Sequence, residues 1–200
     1  MPSSKIGAMD RDHCSPPPTP GIEWEIVELF EREAAGISRY ARALGMDQGT
    51  ADDALQEAFF RFFLCRSAGQ QIRSPKGWLF RVVHNYVLDQ YRAGSHNNVG
   101  IESLANLPCA VSHSESDSHV SDLLRELPRI GLSAREVECV RLRTEDLSYE
   151  EIAGVLGLQV GTVGALLARA HGKIRKAAGD RDHKGHDFGP ALVRVKGYAS

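Results

Sequence analysis

Two helical patterns separated by a glycine occupy residues 147–176, LSYEEIAGVLGLQVGTVGALLARAHGKIRK. Ser148 and Glu151 have the spacing of a capping box, which predicts that the first helix begins here. Gly157 follows two turns later, and glycine readily adopts the left-handed conformation that ends a helix. This stretch therefore predicts two short helices held at an angle, not one long helix.

The spacing of small and apolar residues indicates how the two helices pack. Ala153 is small where the helices approach each other, Gly157 makes the turn, and Val163 is the buried anchor of the second helix. This pattern is typical of a helix-turn-helix, whose second helix enters the DNA major groove. An ordinary helical hairpin is the alternative, because caps and glycine stops occur in all helical proteins.

Local charge favours the DNA-binding interpretation. The whole chain has a net charge of -2, yet residues 160–176 contain no carboxylate and four cations: Arg169, Lys173, Arg175 and Lys176. Such a local surplus of positive charge suits a phosphate backbone.

Composition places the chain among soluble globular proteins. It has 200 residues, enough for one medium or two small domains, and 42% of them are hydrophobic. No apolar run approaches the ~20 residues that span a bilayer, and a basic-then-apolar signal peptide is absent. We expect a cytoplasmic protein without membrane insertion.

The sequence contains no strong pattern of catalytic or metal-binding residues. The four cysteines, Cys14, Cys65, Cys109 and Cys139, form no CxxC pair, so they are expected to be reduced and structural. His183 and His186 with Asp182 and Asp187 are a weak metal-binding pattern, for which a solvated polar tail is the better interpretation. Phosphate-binding loops, nucleophile elbows and HExxH motifs are absent, which argues against a hydrolase. We expect no catalytic residue, metal or cofactor.

The order of patterns predicts an all-α protein of two small helical domains joined by a flexible linker. Residues 1–21, with CSPPPTPG, read as a disordered extension, and residues 22–93 as a first helical domain. Residues 94–119, rich in Ser, Asn and His, read as the linker. Residues 120–178 form the second domain, with a helix over Val120–Leu127 and another capped by Ser133, and residues 179–200 a tail.

Three helices are predicted in the first domain. The first runs from Ile22 to Gly45, with an apolar stripe of Ile26, Phe30, Ile37, Ala41 and Leu44, and ends in the turn MDQGT. The second begins at Asp52 and Asp53, ends near Cys65, and carries a bulky stripe of Leu55, Ala58, Phe59, Phe62 and Phe63. The third starts at Pro75, continues to Arg92 and stops at Gly94.

Charge divides the first domain into two kinds of surface. Residues 23–57 hold nine acidic and three basic side chains, which repel DNA and favour a protein partner. Residues 73–92 hold four basic side chains against Asp89 alone, interleaved with Trp78, Phe80, Tyr86 and Tyr91. Basic groups beside aromatic rings suit unpaired, stacked bases, although such rings also serve as core.

Three segments, in order, carry a family resemblance. DDALQEAFFRFF resembles the core-polymerase-binding helix of sigma-70 factors, and PKGWLFRVVHNYVLDQYR resembles the helix that melts and reads their minus-ten promoter element. LSYEEIAGVLGLQVGTV is similar to their minus-thirty-five helix-turn-helix. Over about Ile22 to Ala178 the chain resembles a bacterial RNA polymerase sigma factor of the extracytoplasmic-function (ECF) group.

The resemblance implies a site for each segment. Polymerase binding falls on Asp53, Gln56, Glu57 and Arg61, for which a solvated helix face is the alternative. Minus-ten DNA binding falls on Arg73, Lys76, Trp78, Arg81, Asn85 and Arg92, with the loop from Arg66 to Ser74 receiving a flipped base. Asp89 and Arg92 alternatively brace the domain.

The recognition helix departs from the family pattern. Gly164, Ala165 and Leu166 stand where relatives often carry Lys, Ser and Arg, so we expect a weak upstream contact. Minus-thirty-five binding is then left to four side chains, Gln159, Thr162, Arg169 and Lys173. Leu166 is expected to join the core or contact a partner.

The resemblance implies a non-enzymatic transcription initiation factor. Its partners would be core RNA polymerase and promoter DNA, both as duplex and as melted non-template strand; whether an anti-sigma protein also binds is left open. The alternative is a two-domain helix-turn-helix regulator that binds duplex DNA without joining polymerase.

Overall fold

The computed structural model describes residues 21–94 and 127–182. This part of the chain forms six helices and no strand, so the all-α prediction is confirmed for it. The helices are α1 (Ile22–Ala43), α2 (Gln48–Ser67), α3 (Pro75–Gly94), α4 (Ala134–Thr144), α5 (Tyr149–Leu156) and α6 (Val160–Asp182). Outside the described residues lie positions 1–20 of the predicted N-terminal extension, nearly all of the linker, residues 120–126 of the predicted Val120 helix and the tail from residue 183.

Helices α1, α2 and α3 pack against one another as the first unit. Its largest fully buried side chains include Ile37, Tyr40, Leu44, Phe62 and Phe80. Burying one such side chain contributes about 1.5–3 kcal/mol to stability, so this aromatic core is what holds the three helices in place.

Two details of the first unit differ from the sequence prediction. Helix α2 begins at Gln48, because the Asp47 carboxylate caps it by accepting from the backbone N–H of Thr50 at 2.9 Å. The predicted turn MDQGT was therefore wrong beyond Asp47. Phe30 and Phe63 are 44% and 38% exposed, since both lie at the margin of the apolar face and Leu29 takes the inner position on α1.

Helices α4, α5 and α6 form the second unit, and its helix-turn-helix is confirmed. Ser133 and Ser148 each complete a capping box, at α4 and α5. Gly157 ends α5 with φ 64°, and α5 and α6 are bent by 104° at the break. Ala153 and Val163 are buried where the helices meet, as the spacing predicted.

The two units also pack against each other, mainly through α3 and α5. The sequence predicted separate domains on a linker, and nothing in it indicated this contact. Arg39 of α1 donates two hydrogen bonds to Glu145, at 3.1 and 2.7 Å.

A buried polar cluster lies between α1, α3 and α4. The Tyr40 hydroxyl lies 2.8 Å from Nδ1 of His84 and 3.4 Å from Oε2 of Glu138, and Arg141 donates to Glu138 at 2.8 Å. Burial raises the pKa of Glu138, although the ion pair with Arg141 opposes the shift. Burial lowers the pKa of His84 to about 4, so its ring is neutral near pH 7.

We expect Gly164→Ala to stabilise the protein. A Cβ at this helical position would meet only ring carbons of Tyr149, at 3.8 and 3.9 Å, which is ordinary contact. Alanine lowers the cost of helix formation, so the free energy of unfolding should rise by about 0.5–1 kcal/mol in a urea titration. Gly157→Ala is the control and should destabilise, because residue 157 has positive φ. A neutral or negative effect of Gly164→Ala would contradict the packing.

The His84 ring should make stability depend on pH. The pKa of His84 is about 4 in the folded chain and about 6.5 in the unfolded chain. Above pH 6.5 the ring is neutral in both states and costs no stability, whereas below pH 6.5 the unfolded chain binds a proton that the folded chain does not, so the free energy of unfolding falls as the pH falls toward 4. At pH 4 the loss amounts to about 3 kcal/mol. Denaturant titrations of wild type and His84→Gln from pH 7.5 to 4 measure it. The variant should lose less stability on acidification, and parallel curves would contradict burial of a neutral ring.

Candidate nucleic-acid and protein interfaces

The outer face of α2 presents the predicted polymerase-binding residues. Asp53, Gln56 and Arg61 are exposed, and Glu57 is partly exposed and accepts from Nε of Arg61 at 2.6 Å. Gln56 is well placed for contact with a partner because it points away from the α1–α3 core.

Apolar side chains lie beside these polar residues, and the sequence interpretation missed them. Phe60, Phe63 and Leu64 are 58%, 38% and 50% exposed. Phe60 follows Gln56 by four residues, so the two share one face of α2. The spacing of four residues between Gln56 and Phe60 could have indicated this surface. The sequence interpretation instead assigned Phe63 to the buried stripe of α2 and did not consider Phe60. The surface is therefore mixed apolar and polar, as protein-binding surfaces often are.

Some of the acidic residues counted in the sequence are used inside the first unit. Glu33 is buried and lies 3.0 Å from Arg32 and 3.2 Å from Lys76. Glu25 accepts from Arg66 at 2.9 Å. The negative surface is thus smaller than the residue count suggested.

Helix α3 presents a short exposed polar face that contains two of the predicted minus-ten residues. Arg81 and Asn85 are exposed and four residues apart, so they lie one turn above each other. Arg92 is exposed and donates to Asp89 at 3.1 Å, an arrangement compatible with the bracing role considered above. The structure therefore brings Arg81 and Asn85 together and leaves Arg92 farther along the helix.

The aromatic residues of α3 serve mainly as core. Phe80 is fully buried, and Trp78 is half-buried and makes a T-shaped contact with Phe62, with ring centroids 5.7 Å apart. Tyr91 donates to the carbonyl of Leu44 at 2.8 Å. Of the predicted minus-ten residues, Trp78 thus has a structural contact and is only partly exposed.

The start of α3 is involved in contacts within the chain. Arg73 is exposed, whereas Lys76 is half-buried beside Glu33. Ser74 caps α3 by accepting from the N–H of Gly77 at 3.2 Å, and its hydroxyl donates to Glu151 at 2.5 Å. The preceding loop is anchored by Arg66, which donates to the carbonyl of Gln70 at 2.8 Å.

The four residues predicted to read the upstream element fall into two groups. Gln159 and Thr162 are exposed around the start of α6. Arg169 lies 3.7 Å from Glu136, and Lys173 donates to Glu136 at 2.7 Å and to the carbonyl of Gly131 at 2.9 Å. Eleven helical residues, about 16 Å, separate Thr162 from Lys173.

Glu136 holds both of these cations within the chain. Burial alone would raise the pKa of Glu136, but hydrogen bonds from Lys173 and Ser133 outweigh it and the pKa lies below the ordinary range. Leu166 is only 5% exposed and belongs to the core, so the first of the two roles expected for it is the one observed.

The described residues give no sign of metal chemistry or of a membrane-spanning helix. Within 21–94 and 127–182, no group of three His, Cys, Asp or Glu side chains is arranged to hold a metal. Burial raises the pKa of the free thiol of Cys139 to about 12, which makes it unreactive. In the same ranges, no single helix is long and apolar enough to cross a membrane.

Comparison with known sequences gives two family matches. Sigma-70 region 2 matches residues 29–96, and Sigma-70, region 4 matches residues 131–174. SigE, an ECF RNA polymerase sigma factor of Mycolicibacterium smegmatis, is 32% identical over 74% of the chain, which spans 59% of that relative. The RNA polymerase sigma-E factor of Streptomyces avermitilis is 30% identical over 79% of the chain and 87% of the relative.

Two solved structures share the fold. CnrH in complex with the cytosolic domain of CnrY has a TM-score of 0.53 at 21% identity, covering 80% of this chain and 91% of CnrH. RpoE in complex with the anti-sigma factor NepR from Bartonella quintana has a TM-score of 0.52 at 21% identity, covering 76% and 95%. With both sigma regions matched in order, the chain belongs to the ECF group of the sigma-70 family.

Proposed function

We propose that this chain joins core RNA polymerase and directs promoter-specific initiation, including strand opening. The observation that carries the proposal is that both sigma regions occur in one chain, each with exposed residues suited to its task. The first unit holds polymerase through α2 and takes unpaired bases on α3. The second unit places the start of α6 on the upstream element.

The mixed surface of α2 suits a polymerase partner. Gln56 supplies a hydrogen-bonding group, and Phe60 and Leu64 supply apolar area that water solvates poorly. Interfaces of this kind derive most of their affinity from a few apolar anchors surrounded by polar groups. The carboxylate of Glu57 adds attraction for a basic partner surface.

The polar face of α3 suits a single strand. The Arg81 guanidinium attracts phosphate, and the Asn85 amide both donates to and accepts from a base edge. The half-buried Trp78 ring offers an edge to a neighbouring base, while its contact with Phe62 keeps the ring in place. The protein supplies binding and orientation, and no step requires a catalytic side chain.

A regulator that binds duplex DNA without polymerase is not favoured. The first unit matches sigma region 2, whereas that alternative would use it only for dimerisation or effector sensing. Transcription with purified core polymerase distinguishes the two, because only a sigma factor confers promoter-specific initiation. We also propose a protein antagonist of the class represented by NepR, with which the similar RpoE is solved.

Charge reversal on α2 should weaken polymerase binding. Gln56→Arg with Glu57→Lys places two cations where a basic partner surface would lie, so we expect at least a tenfold rise in the dissociation constant for core enzyme. Fluorescence anisotropy of the labelled chain measures it. Glu150→Lys, an exposed change on α5, is the control and should bind normally. Unchanged binding by the double variant would show that this face of α2 is not part of the polymerase interface.

Asn85→Ala should impair strand opening while leaving polymerase binding intact. The side chain is exposed, so the fold does not depend on it, and loss of about 1 kcal/mol of hydrogen bonding lowers open-complex formation about fivefold. Permanganate footprinting on a linear promoter reports the opening. Gln90→Ala, also exposed on α3, is the matched control. The loss of open-complex formation by Asn85→Ala should be smaller on a promoter whose strands are already separated by mismatches. An equal loss on that promoter would contradict a role of Asn85 in strand opening.

A further inference from the structure

Helices α1 and α2 expose a set of large apolar side chains to solvent. Trp24, near the start of α1, is the most exposed of them, at 69%. Within residues 21–94 all the exposed large hydrophobic side chains belong to these two helices, and α3 contributes none. We call this set the apolar face of the first unit; its members are Trp24, Val27, Phe30, Phe60, Phe63 and Leu64.

The apolar face lies on the side of α1 and α2 that is turned away from α3. Tyr40 of α1 packs its ring against Phe80 of α3. Phe62 of α2 packs against Trp78 of α3. At 100° per residue, the exposed apolar residues of each helix are rotated by about 80–200° from these inward-facing positions. Neither α3 nor the core therefore covers them.

The α1 part and the α2 part of the face adjoin each other. Phe30 meets Phe59 of α2 with ring centroids 5.0 Å apart. Glu25 near the start of α1 accepts from Arg66 near the end of α2 at 2.9 Å, so the two helices are antiparallel. The exposed apolar residues of both helices are rotated in the same sense from the Phe30 contact. In an antiparallel pair this places them on one side of the pair, as one continuous surface.

The extent of the apolar face indicates that something covers it. An aromatic side chain has an area of about 150–250 Å², so the exposed fractions of the six residues amount to roughly 500–600 Å². Monomeric proteins rarely expose contiguous apolar patches of more than a few hundred Å². Polymerase bound at Phe60 and Leu64 would cover part of the face, but only in the complex.

A second copy of the chain is a poor occupant of the apolar face. Two such faces together bury about 1,100 Å², below the roughly 1,200 Å² of a stable interface. Glu28 and Glu31 are exposed and follow Trp24 and Val27 by four residues, so they lie beside the face. The same carboxylates on a second copy would repel them.

The segment that leads into α1 has the composition to cover the face. Residues 14–20, CSPPPTP, contain four prolines and no charged side chain, and Gly21 joins them to α1. Proline-rich segments bind aromatic surfaces as polyproline II helices, which lose little entropy on docking. Gly21 has φ -68° and ψ 172°, an extended conformation close to polyproline II.

The length of this segment matches the size of the face. Seven residues of polyproline II span about 22 Å. Phe30 lies about 14 Å along α1 from Gly21, and the axes of packed helices are about 8–10 Å apart. The segment can therefore extend across Trp24 as far as Phe60. Attachment at Gly21 gives it an effective concentration on the order of millimolar, so a weak contact is populated.

We propose that the proline-rich segment, residues 14–20, docks on the apolar face in the free chain and competes there with core polymerase for Phe60 and Leu64. This inference rests on the proposed function. Polymerase displaces the segment without any change in α1 or α2 themselves. The segment thereby lowers the apparent affinity of the chain for core polymerase.

Charges in the proline stretch test the proposal in the full-length chain. The proline variant combines Pro16→Asp, Pro17→Asp and Pro18→Asp, which places carboxylates where apolar contact is needed. We expect its dissociation constant for core polymerase, measured by fluorescence anisotropy, to fall at least threefold, because the competent fraction rises. Acrylamide should also quench Trp24 more strongly in the free variant, and Trp24→Ala gives the contribution of Trp78.

A matched control separates docking from charge. Ser3→Asp, Ser4→Asp and Ala8→Asp, combined in one variant, add the same charge to the N-terminal segment outside the proline stretch. Both measurements should then equal those of the wild type, and equal gains by the two variants would overturn docking. Unchanged quenching of Trp24 in the proline variant would show that the segment does not cover the face. A wild-type dimer in sedimentation velocity would assign the face to a second copy.

Trp24→Ala distinguishes the segment from polymerase as the occupant of this end of the face. With the wild-type segment the change should release the segment and strengthen polymerase binding, whereas in the proline variant it should have no further effect. Weaker binding in both backgrounds would make Trp24 a polymerase contact and overturn the assignment. If no variant bound core polymerase, the proposed function would fail, while quenching of Trp24 would still report on docking.

Discussion

The carboxylate of Glu151 links local and tertiary structure in this protein. It completes the cap of α5, and the same group accepts from the hydroxyl that caps α3. Burial alone would raise the pKa of Glu151, but the hydrogen bonds from Ser74 and Ser148 outweigh it, so the pKa lies below the ordinary range and the group stays charged. The arrangement is possible only because residue 77 has no side chain. Together with the Arg39–Glu145 and Tyr40–Glu138 contacts, it sets the orientation of the helix-turn-helix on the first unit.

The surfaces assigned to polymerase and DNA differ in how much the fold uses them. Gln56, Phe60 and Leu64 project from α2, so a partner meets them without rearrangement. At the proposed upstream site, by contrast, Lys173 is already bonded to Glu136, so DNA would have to compete for its charge. This intramolecular competition adds to the loss of family-type cations at Gly164 and Leu166. Both effects favour a factor that depends more on its minus-ten contacts than on its upstream contacts.

Sequence reasoning was most accurate where structure is set by neighbouring residues. The caps at Ser133 and Ser148 and the stop at Gly157 depend on groups within four residues, and all three were confirmed. It was wrong at Phe30 and Phe63, because helical periodicity identifies an apolar face but not the side chains at its margin. The predicted start of α2 was also too late. Asp52 and Asp53 fit the preference for acidic residues in a first helical turn, but the cap is Asp47, five residues earlier.

The sequence by itself determined the presence of the helices, the caps at Ser133 and Ser148, the helix-turn-helix and the family, since each depends on short-range spacing of residue types. Tertiary structure alone decided how the units meet: that Arg39 pairs with Glu145, that Tyr40 reaches Glu138, and that Glu151 lies over Gly77. These residues are between 74 and 106 positions apart. No periodic pattern relates positions that far apart, because their approach depends on the packing of whole helices.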